Sequence, residues 1–388
     1  MALKLSPRSD IPAFRALDIL RLVNERVAQG ADIIRLEAGQ PCHGAPLSAL
    51  EYARTIVQTD PRQGYTEALG MRPLRERIAQ WYGTAYNLDL DPNRVAVTMG
   101  ASGAFILAFM SVFSAGDRVA MGIPCYPPYR NILRMFGVEV IEIDTTAATN
   151  YQPTLAQIAA LEGKIDGLLI ASPGNPAGTI IPEADLKAIA NWCDAHQVRL
   201  ISDELFQKVT YGDKAETVLR FTDNAVVANS FSKYFAMTGW RLGWLVLPED
   251  VLNRVKCLAE SMFVSPPTLA QHVAYKVFDH IEDLDGYVAH YGENLTILKR
   301  ELPKAGFTKL SDTRGTFYLY VDVSDLTNDS IAFCRQMLDE ARVSCTPGVD
   351  FDEKHGLQTI RISFGGKTED IIEACERLKS WHQTRKAA

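Results

Sequence analysis

Ala225-Val226-Val227-Ala228-Asn229-Ser230-Phe231-Ser232-Lys233 is the stretch on which the reading of this chain turns. Ala225 to Val227 and Ala228 make a short apolar β-type run. A lysine follows at once, and Arg241 stands eight residues beyond it. A lysine placed directly after such a strand sits at the mouth of a sheet, where open α/β folds bind small ligands. Two hydroxyls and a second cation beside it suit a phosphorylated ligand. Ser-x-Ser-Lys alone is a weak signal, so the weight falls on what the rest of the chain supplies.

Around that stretch, short apolar runs alternate with helical patterns. Strands are expected at 94–99, 118–122, 138–143, 167–171, 198–202, 225–229 and 241–247, with helices at 102–113, 126–136, 154–161 and 183–195. The alternation predicts an α/β fold: a mostly parallel seven-stranded sheet flanked by helices. Helical patterns fill 249–262, 267–279 and 284–301, the last long enough to link two domains. Beyond them Phe317 to Val323 alternates as an antiparallel strand would, with helices at 329–341 and 368–381 and short strands at 343–346 and 359–363. This is a smaller α+β domain. Upstream, Phe14, Leu17, Leu20, Val23 and Val27 give an amphipathic helix over 14–28, and Glu37-Ala38-Gly39-Gln40-Pro41 reads as a turn. The expected division is 1–45 as an N-terminal segment joining the small domain, 46–283 as the large ligand-binding domain and 284–388 as the small C-terminal domain.

Composition narrows the function classes. The 388 residues are 47% hydrophobic and 22% charged, ordinary for a soluble globular protein that can bury a large core. A net charge of −7 and a pI near 5.6 argue against a general binder of nucleic acid or anionic membrane. The seven cysteines are scattered, odd in number and never spaced Cys-x-x-Cys. They read as reduced thiols rather than a disulfide framework or a zinc site, so no metal is expected. No signal-peptide core opens the chain and no apolar run reaches the roughly 18 residues of a spanning helix. A cytoplasmic location is expected.

Four strand ends carry the chemistry. The first expected strand runs into Met99-Gly100-Ala101-Ser102-Gly103-Ala104, small residues that let backbone N–H groups approach a phosphate at a helix N-terminus. Ser102 can equally serve as the helix N-cap. Strand 167–171 ends in Ser172-Pro173-Gly174-Asn175-Pro176, a rigid loop that holds the Asn175 amide towards a ligand, with Asn175–Pro176 expected in cis. Strand 198–202 ends in Asp203-Glu204. A carboxylate at the end of a central strand is costly unless a cation or donor meets it; an N-cap or ion pair would do so, and so would a protonated ring nitrogen. The fourth end delivers Lys233 and Arg241. A phosphate cup, an amide, a carboxylate and an amine together specify a phosphorylated cationic ring able to condense with an amine: pyridoxal phosphate.

With these residues in order, the chain resembles the class I/II, fold-type I pyridoxal-phosphate-dependent aminotransferases, from about Leu36 to about Gly365. Ser230-Phe231-Ser232-Lys233 with Gly239-Trp240-Arg241-Leu242-Gly243-Trp244, and Ser172 to Gly178, carry the likeness. The resemblance implies that Lys233 is the Schiff-base lysine and proton-transfer base, that Asp203 pairs with the pyridine nitrogen and that Asn175 pairs with O3′. It implies a phosphate site of Gly100, Ala101, Ser102, Ser230 and Arg241, with Tyr126 stacked on the ring. Tyr65 would reach the phosphate of a partner subunit, which makes a homodimer with shared active sites. Arg361 would grip the substrate α-carboxylate, with Gly39 beside it. The implied reaction moves an amino group from an α-amino acid to a 2-oxo acid by a ping-pong mechanism.

There are departures. Phe206 stands where the family usually has a tyrosine that donates to O3′, Asp352 follows Phe351 where glycine is common, and residues 261–267 lack an arginine that some aspartate-specific members use. Aspartate preference is therefore not expected. A carbon–sulfur β-lyase on the same fold is the alternative, because the cofactor residues barely distinguish the two. A serine hydrolase built on Ser102 would need glycine at 104, where alanine stands. A non-catalytic binding protein would have little use for an intact Lys233.

Overall fold

In this computed structural model, residues 3–12 and 15–387 are described, without the side chains of 15–17 and 387. Met1, Ala2 and Phe14, the first residue of the expected amphipathic stripe, lie outside the described residues. The strands in chain order are β1 (Ile34–Arg35), β2 (Val95–Thr98), β3 (Arg118–Ile123), β4 (Glu139–Asp144), β5 (Gly167–Ala171), β6 (Arg199–Asp203), β7 (Val226–Ser230), β8 (Gly243–Val246), β9 (Lys309–Leu310), β10 (Tyr318–Asp322), β11 (Val343–Ser344), β12 (Thr346–Pro347) and β13 (Thr359–Ser363). Seven of them form one sheet in the order β2-β8-β7-β6-β5-β3-β4. Only β8 runs against the rest, pairing antiparallel with β2 and β7. Its central strands are short apolar runs buried along their length, as a sheet covered by helices on both faces requires.

The sheet's connections fix where a ligand can sit. The chain passes from β3 outward to β4 and then returns to β5 on the other side of β3. That reversal opens a crevice at the carboxyl ends of the parallel strands. The loops after β2, β3, β5, β6 and β7 all reach it. Helix Gly100–Val112 follows β2 with only Met99 between, and it is apolar nearly all round because it is packed between β7, β8 and helix Glu249–Met262. It starts two residues earlier than the sequence suggests. Ser102 is therefore inside the first turn and not its cap; Met99 occupies that place and makes no side-chain cap bond.

A second sheet, β12-β13-β10-β9, is antiparallel. The strand expected over 343–346 proves to be two: β11 pairs in parallel with β1, Cys345 turns the chain, and β12 joins β13. The helix expected over 329–341 is an α-helix, Ser330–Gln336, closed by a wider π turn, Met337–Ala341. Backbone bonds stitch the N-terminal stretch to this region: Ser363 N to Leu36 O at 2.7 Å and Cys42 N to Gly365 O at 2.7 Å.

Helix Ile281–Glu301 crosses between the two sheets and is tied down by Asn294. Its buried amide donates to Phe364 O at 3.0 Å and Gly366 O at 2.9 Å, and its Oδ1 accepts from Thr368 Oγ1 at 2.8 Å. Asn294→Leu strands both carbonyls, each worth about 1 kcal/mol or more when left unpaired. The variant is expected to lose about 2 kcal/mol in chemical denaturation; an unchanged midpoint would count against this tie.

Candidate active site

A cavity of about 280 Å³ opens at the crevice, lined among others by Gly39, Ala101, Ser102, Tyr126, Asn175, Asp203, Lys233, Arg241 and Arg361. Nine of the residues singled out in the sequence therefore converge on one space. Three do not line it. Gly100 lies just behind, and Ser230 stands one layer back. Tyr65 is 85% exposed on the surface of the chain.

β7 delivers Lys233. Phe231, two residues earlier, is buried among Phe235, Trp244 and Phe278, with ring centroids 5.0, 4.8 and 5.7 Å away. That anchor fixes the loop, and the lysine points the other way. Its Nζ donates to Gly39 O at 2.5 Å and lies 5.5 and 5.6 Å from the ring centroids of Phe206 and Phe317. Ser230 Oγ is engaged with Ser232 Oγ at 2.9 Å and Leu242 O at 3.2 Å. Of the two serines, Ser232 is the one that lines the cavity.

β6 delivers Asp203, which is buried. Leu205 N donates to Oδ1 at 2.9 Å, and the Tyr129 hydroxyl donates to Oδ2. Burial pushes the Asp203 pKa up from 3.8 to about 7, against the opposing pull of the Leu205 N–H and of Lys233. A carboxyl this far from water favours a cationic partner. Tyr129 was not singled out in the sequence. It sits three residues after Tyr126 on the opening turn of helix Pro127–Met135, with the two rings edge to face at 5.3 Å.

At the floor of the cavity, Gly100 has φ +68°, and a Cβ there would lie 2.6 Å from Arg241 Nη2. The guanidinium thus lies across the start of helix Gly100–Val112, whose free N–H groups and dipole add positive potential. Arg241 Nη1 donates to Thr238 O at 3.0 Å. Cation and helix end together make an anion cup.

β13 delivers Arg361 from the second sheet. It is buried, and its Nη atoms donate to neutral oxygens: Asn175 Oδ1 at 3.2 Å, Glu37 O at 3.1 Å and Thr346 Oγ1 at 3.4 Å. Its Nε is buried without a partner. Tyr318 and Phe351 pack against the guanidinium, with centroids 4.2 and 4.8 Å from Cζ. Phe351, given no role from the sequence, is thus part of what holds the arginine. Gly39 is needed here for room: a Cβ would meet Tyr318 Oη at 2.6 Å. The Asn175–Pro176 bond is cis, as expected, and so is Ser172–Pro173.

Phe206 also lines the cavity, edge-on to Phe317 and Tyr318 at 5.3 and 5.4 Å. Leu20, from helix Arg15–Ala28, completes one wall.

The wider comparisons agree with this geometry. The family model described as "Aminotransferase class I and II" matches residues 31–378. The valine–pyruvate aminotransferase of Mycobacterium tuberculosis is 43% identical over 382 residues, covering 97% of this chain and 98% of that one. An aspartate aminotransferase of Thermotoga maritima is 31% identical over 381 residues, covering 97% and 98%. Among solved structures, an aminotransferase from Mycobacterium tuberculosis superposes with a TM-score of 0.96 at 42% identity, covering 99% of this chain and 100% of that one. The chain belongs to the class I and II aminotransferases, fold-type I enzymes that move an amino group between an amino acid and a 2-oxo acid.

Proposed function

We propose that the cavity holds pyridoxal phosphate and that the enzyme transfers the amino group of a neutral, chiefly aliphatic α-amino acid to pyruvate. The residues present fit the cofactor: a buried carboxylate short of a cation, an amine, an anion cup at a helix start, and room between them. Lys233 would bind it, Asp203 would face its ring nitrogen and Asn175 its O3′. Gly100, Ala101, Ser102 and Arg241 would hold the phosphate, with Ser232 as the hydroxyl that reaches in and Ser230 steadying it. Tyr126 would stack on the ring. Tyr65, almost fully exposed in the single chain, suits a reach into the site of a second copy in a homodimer. We also assign 1–45, 46–283 and 284–388 to the N-terminal segment, large domain and small domain, in a cytoplasmic enzyme.

The observation that carries the substrate class is Arg361. A buried guanidinium that lines the same space as Lys233 and has neutral oxygens for partners favours an anion held by two parallel N–H bonds. The Tyr318 and Phe351 rings fix its plane, so little ordering remains when a carboxylate arrives. The amino acid's other end then falls near Lys233. When bound, the protonated pyridine ring supplies an electron sink for the charge left at Cα. Asp203 keeps that ring protonated, and Tyr129 keeps Asp203 in place. The Lys233 amine is the group positioned to take the proton from Cα and return it. Leu20, Leu205, Phe206 and Tyr318 give the remaining walls an apolar character that favours hydrocarbon side chains. The valine–pyruvate relative supports the same choice.

A panel of amino donors with pyruvate as acceptor tests this reading. Valine and its aliphatic neighbours are expected to exceed aspartate in kcat/KM by at least about tenfold, roughly 1.4 kcal/mol of transition-state discrimination. Aspartate preference, or release of a thiol and ammonia from cystathionine as the main reaction, would overturn it. Phe351→Leu is expected to raise KM for the amino acid several-fold with kcat nearly unchanged; a fall in kcat alone would deny Phe351 the role of positioning Arg361. In Phe206→Tyr an added donor to O3′ is expected to lower the pH midpoint of the bound cofactor's visible absorbance change, and an equal or higher midpoint would count against Phe206 facing that oxygen.

Asp203 also makes a pH prediction for the cofactor-free protein. Its folded pKa of about 7 lies above the ordinary 3.8, so its stabilising contribution is complete below pH 4 and lost as pH rises to about 7. Asp203→Asn removes that loss. The melting temperature of the variant is therefore expected to gain on wild type between about pH 4 and pH 7, and cofactor should erase the gain. A constant difference across that window would refute the assignment.

A further inference from the structure

Away from the cavity, the thiol of Cys42 and one ring nitrogen each of His43 and His290 all lie within 4.8 Å of one another. His43 Nε2 faces His290 Nδ1 at 2.8 Å. The two nitrogens can share one proton, and that contact alone would satisfy them. Two features go beyond it. The His43 ring is stacked flat on Tyr287, with centroids 4.0 Å apart at 4°, which holds its lone pair on target. Cys42 is pinned from behind by its N–H to Gly365 O, 2.7 Å, and its side chain is at the solvent edge.

We propose that Cys42, His43 and His290 form a binding site for a borderline-soft divalent cation of the Zn²⁺ class. Imidazole and thiolate select such ions over Mg²⁺ and Ca²⁺, which prefer oxygen. With bonds of about 2.0 Å to nitrogen and 2.3 Å to sulfur, a tetrahedral ion needs the facing nitrogens about 3.3 Å apart. The 2.8 Å pair must therefore open by about half an ångström. Two nitrogens and one sulfur leave the fourth position to water on the exposed side. Binding releases the thiol proton, and the shared proton of the histidine pair moves to an outward ring nitrogen. The net exchange is one cation in and one proton out. The outer neighbour of His290 is Asn294, whose Nδ2 is 3.4 Å from Nε2 and directs its hydrogens at two carbonyls. The cation would tether the loop that bears Gly39, the acceptor of the Lys233 ammonium, to helix Ile281–Glu301.

Nothing in the spacing announces the site, because His43 and His290 are 247 positions apart. Chelator-treated holoenzyme, dialysed against Zn²⁺ in buffer free of amino acids, tests it by metal content per chain. Wild type is expected to retain one equivalent, with a zinc absorption-edge spectrum of one sulfur and two imidazole nitrogens. Cys42→Ser and His290→Asn are expected to weaken binding roughly tenfold or more, and Zn²⁺ should raise the melting temperature of wild type only. No retained zinc in wild type, or equal affinity in both variants, would overturn the proposal. Should His290→Asn fail to fold, Cys42→Ser, at an exposed position, decides alone.

Discussion

The constraint on which this molecule turns is a carboxylate buried in the sheet with a cavity on one side of it. Asp203 closes β6 at the centre of the sheet, its Cα paired with Ala171 on one side and Ala228 on the other. Two donors, Leu205 N and Tyr129 Oη, meet its oxygens, and neither carries a full positive charge. A buried anion whose hydrogen-bond donors are neutral favours a cation more strongly than a surface carboxylate would. The crevice geometry ensures that the cation must come from the cavity. Lys233 supplies part of it across the space, and a protonated ring would supply the rest.

The second sheet makes the same demand with the opposite sign. Arg361 is carried in on β13 and buried against Tyr318 and Phe351, with neutral oxygens for company. The main-chain ties from Leu36 and Cys42 to Ser363 and Gly365 hold the N-terminal loop against this sheet. Gly39 O can then receive the Lys233 ammonium on one side while its missing Cβ leaves space for Tyr318 on the other. One loop thus spaces the arginine from the lysine. Both side chains line the same cavity, so the proposed substrate, with a carboxylate at one end and an amine at the other, could meet the two together.

Much of this was legible in the sequence. All seven strands of the main sheet were marked by short apolar runs, because strands buried on both faces leave period-free hydrophobic stretches bounded by Gly, Pro or polar residues. The residues at their ends carried the chemistry in chain order. What was not legible depends on contacts between distant segments. Tyr129 differs from any packed tyrosine only in meeting Asp203. Phe351 acquires its role from Arg361, and Leu20 from a helix that happens to close the wall. Ser230 turns its hydroxyl to Leu242 O while Ser232 lines the cavity, a difference set by how the chain leaves β7 and not by the spacing of the two serines. Cys42, His43 and His290 meet only once helix Ile281–Glu301 is laid beside the N-terminal loop.

The neighbouring acid shows why burial alone does not make a site. Glu204 is as deeply enclosed as Asp203, and burial likewise pushes its pKa up to about 7. Successive residues at a strand end face opposite sides of a sheet, so Glu204 points away from the crevice. There Val218 N at 2.9 Å and Ser202 Oγ at 3.1 Å both serve Oε1, while Oε2 is sealed off without a partner. A proton on Oε2 removes the charge, and a neutral acid needs no counter-charge. Asp203 has a wall of open space before it, and a cation can enter there. Two adjacent buried carboxyls with the same displaced pKa therefore end as a structural acid and a cavity-facing one. The side of the sheet decides between them.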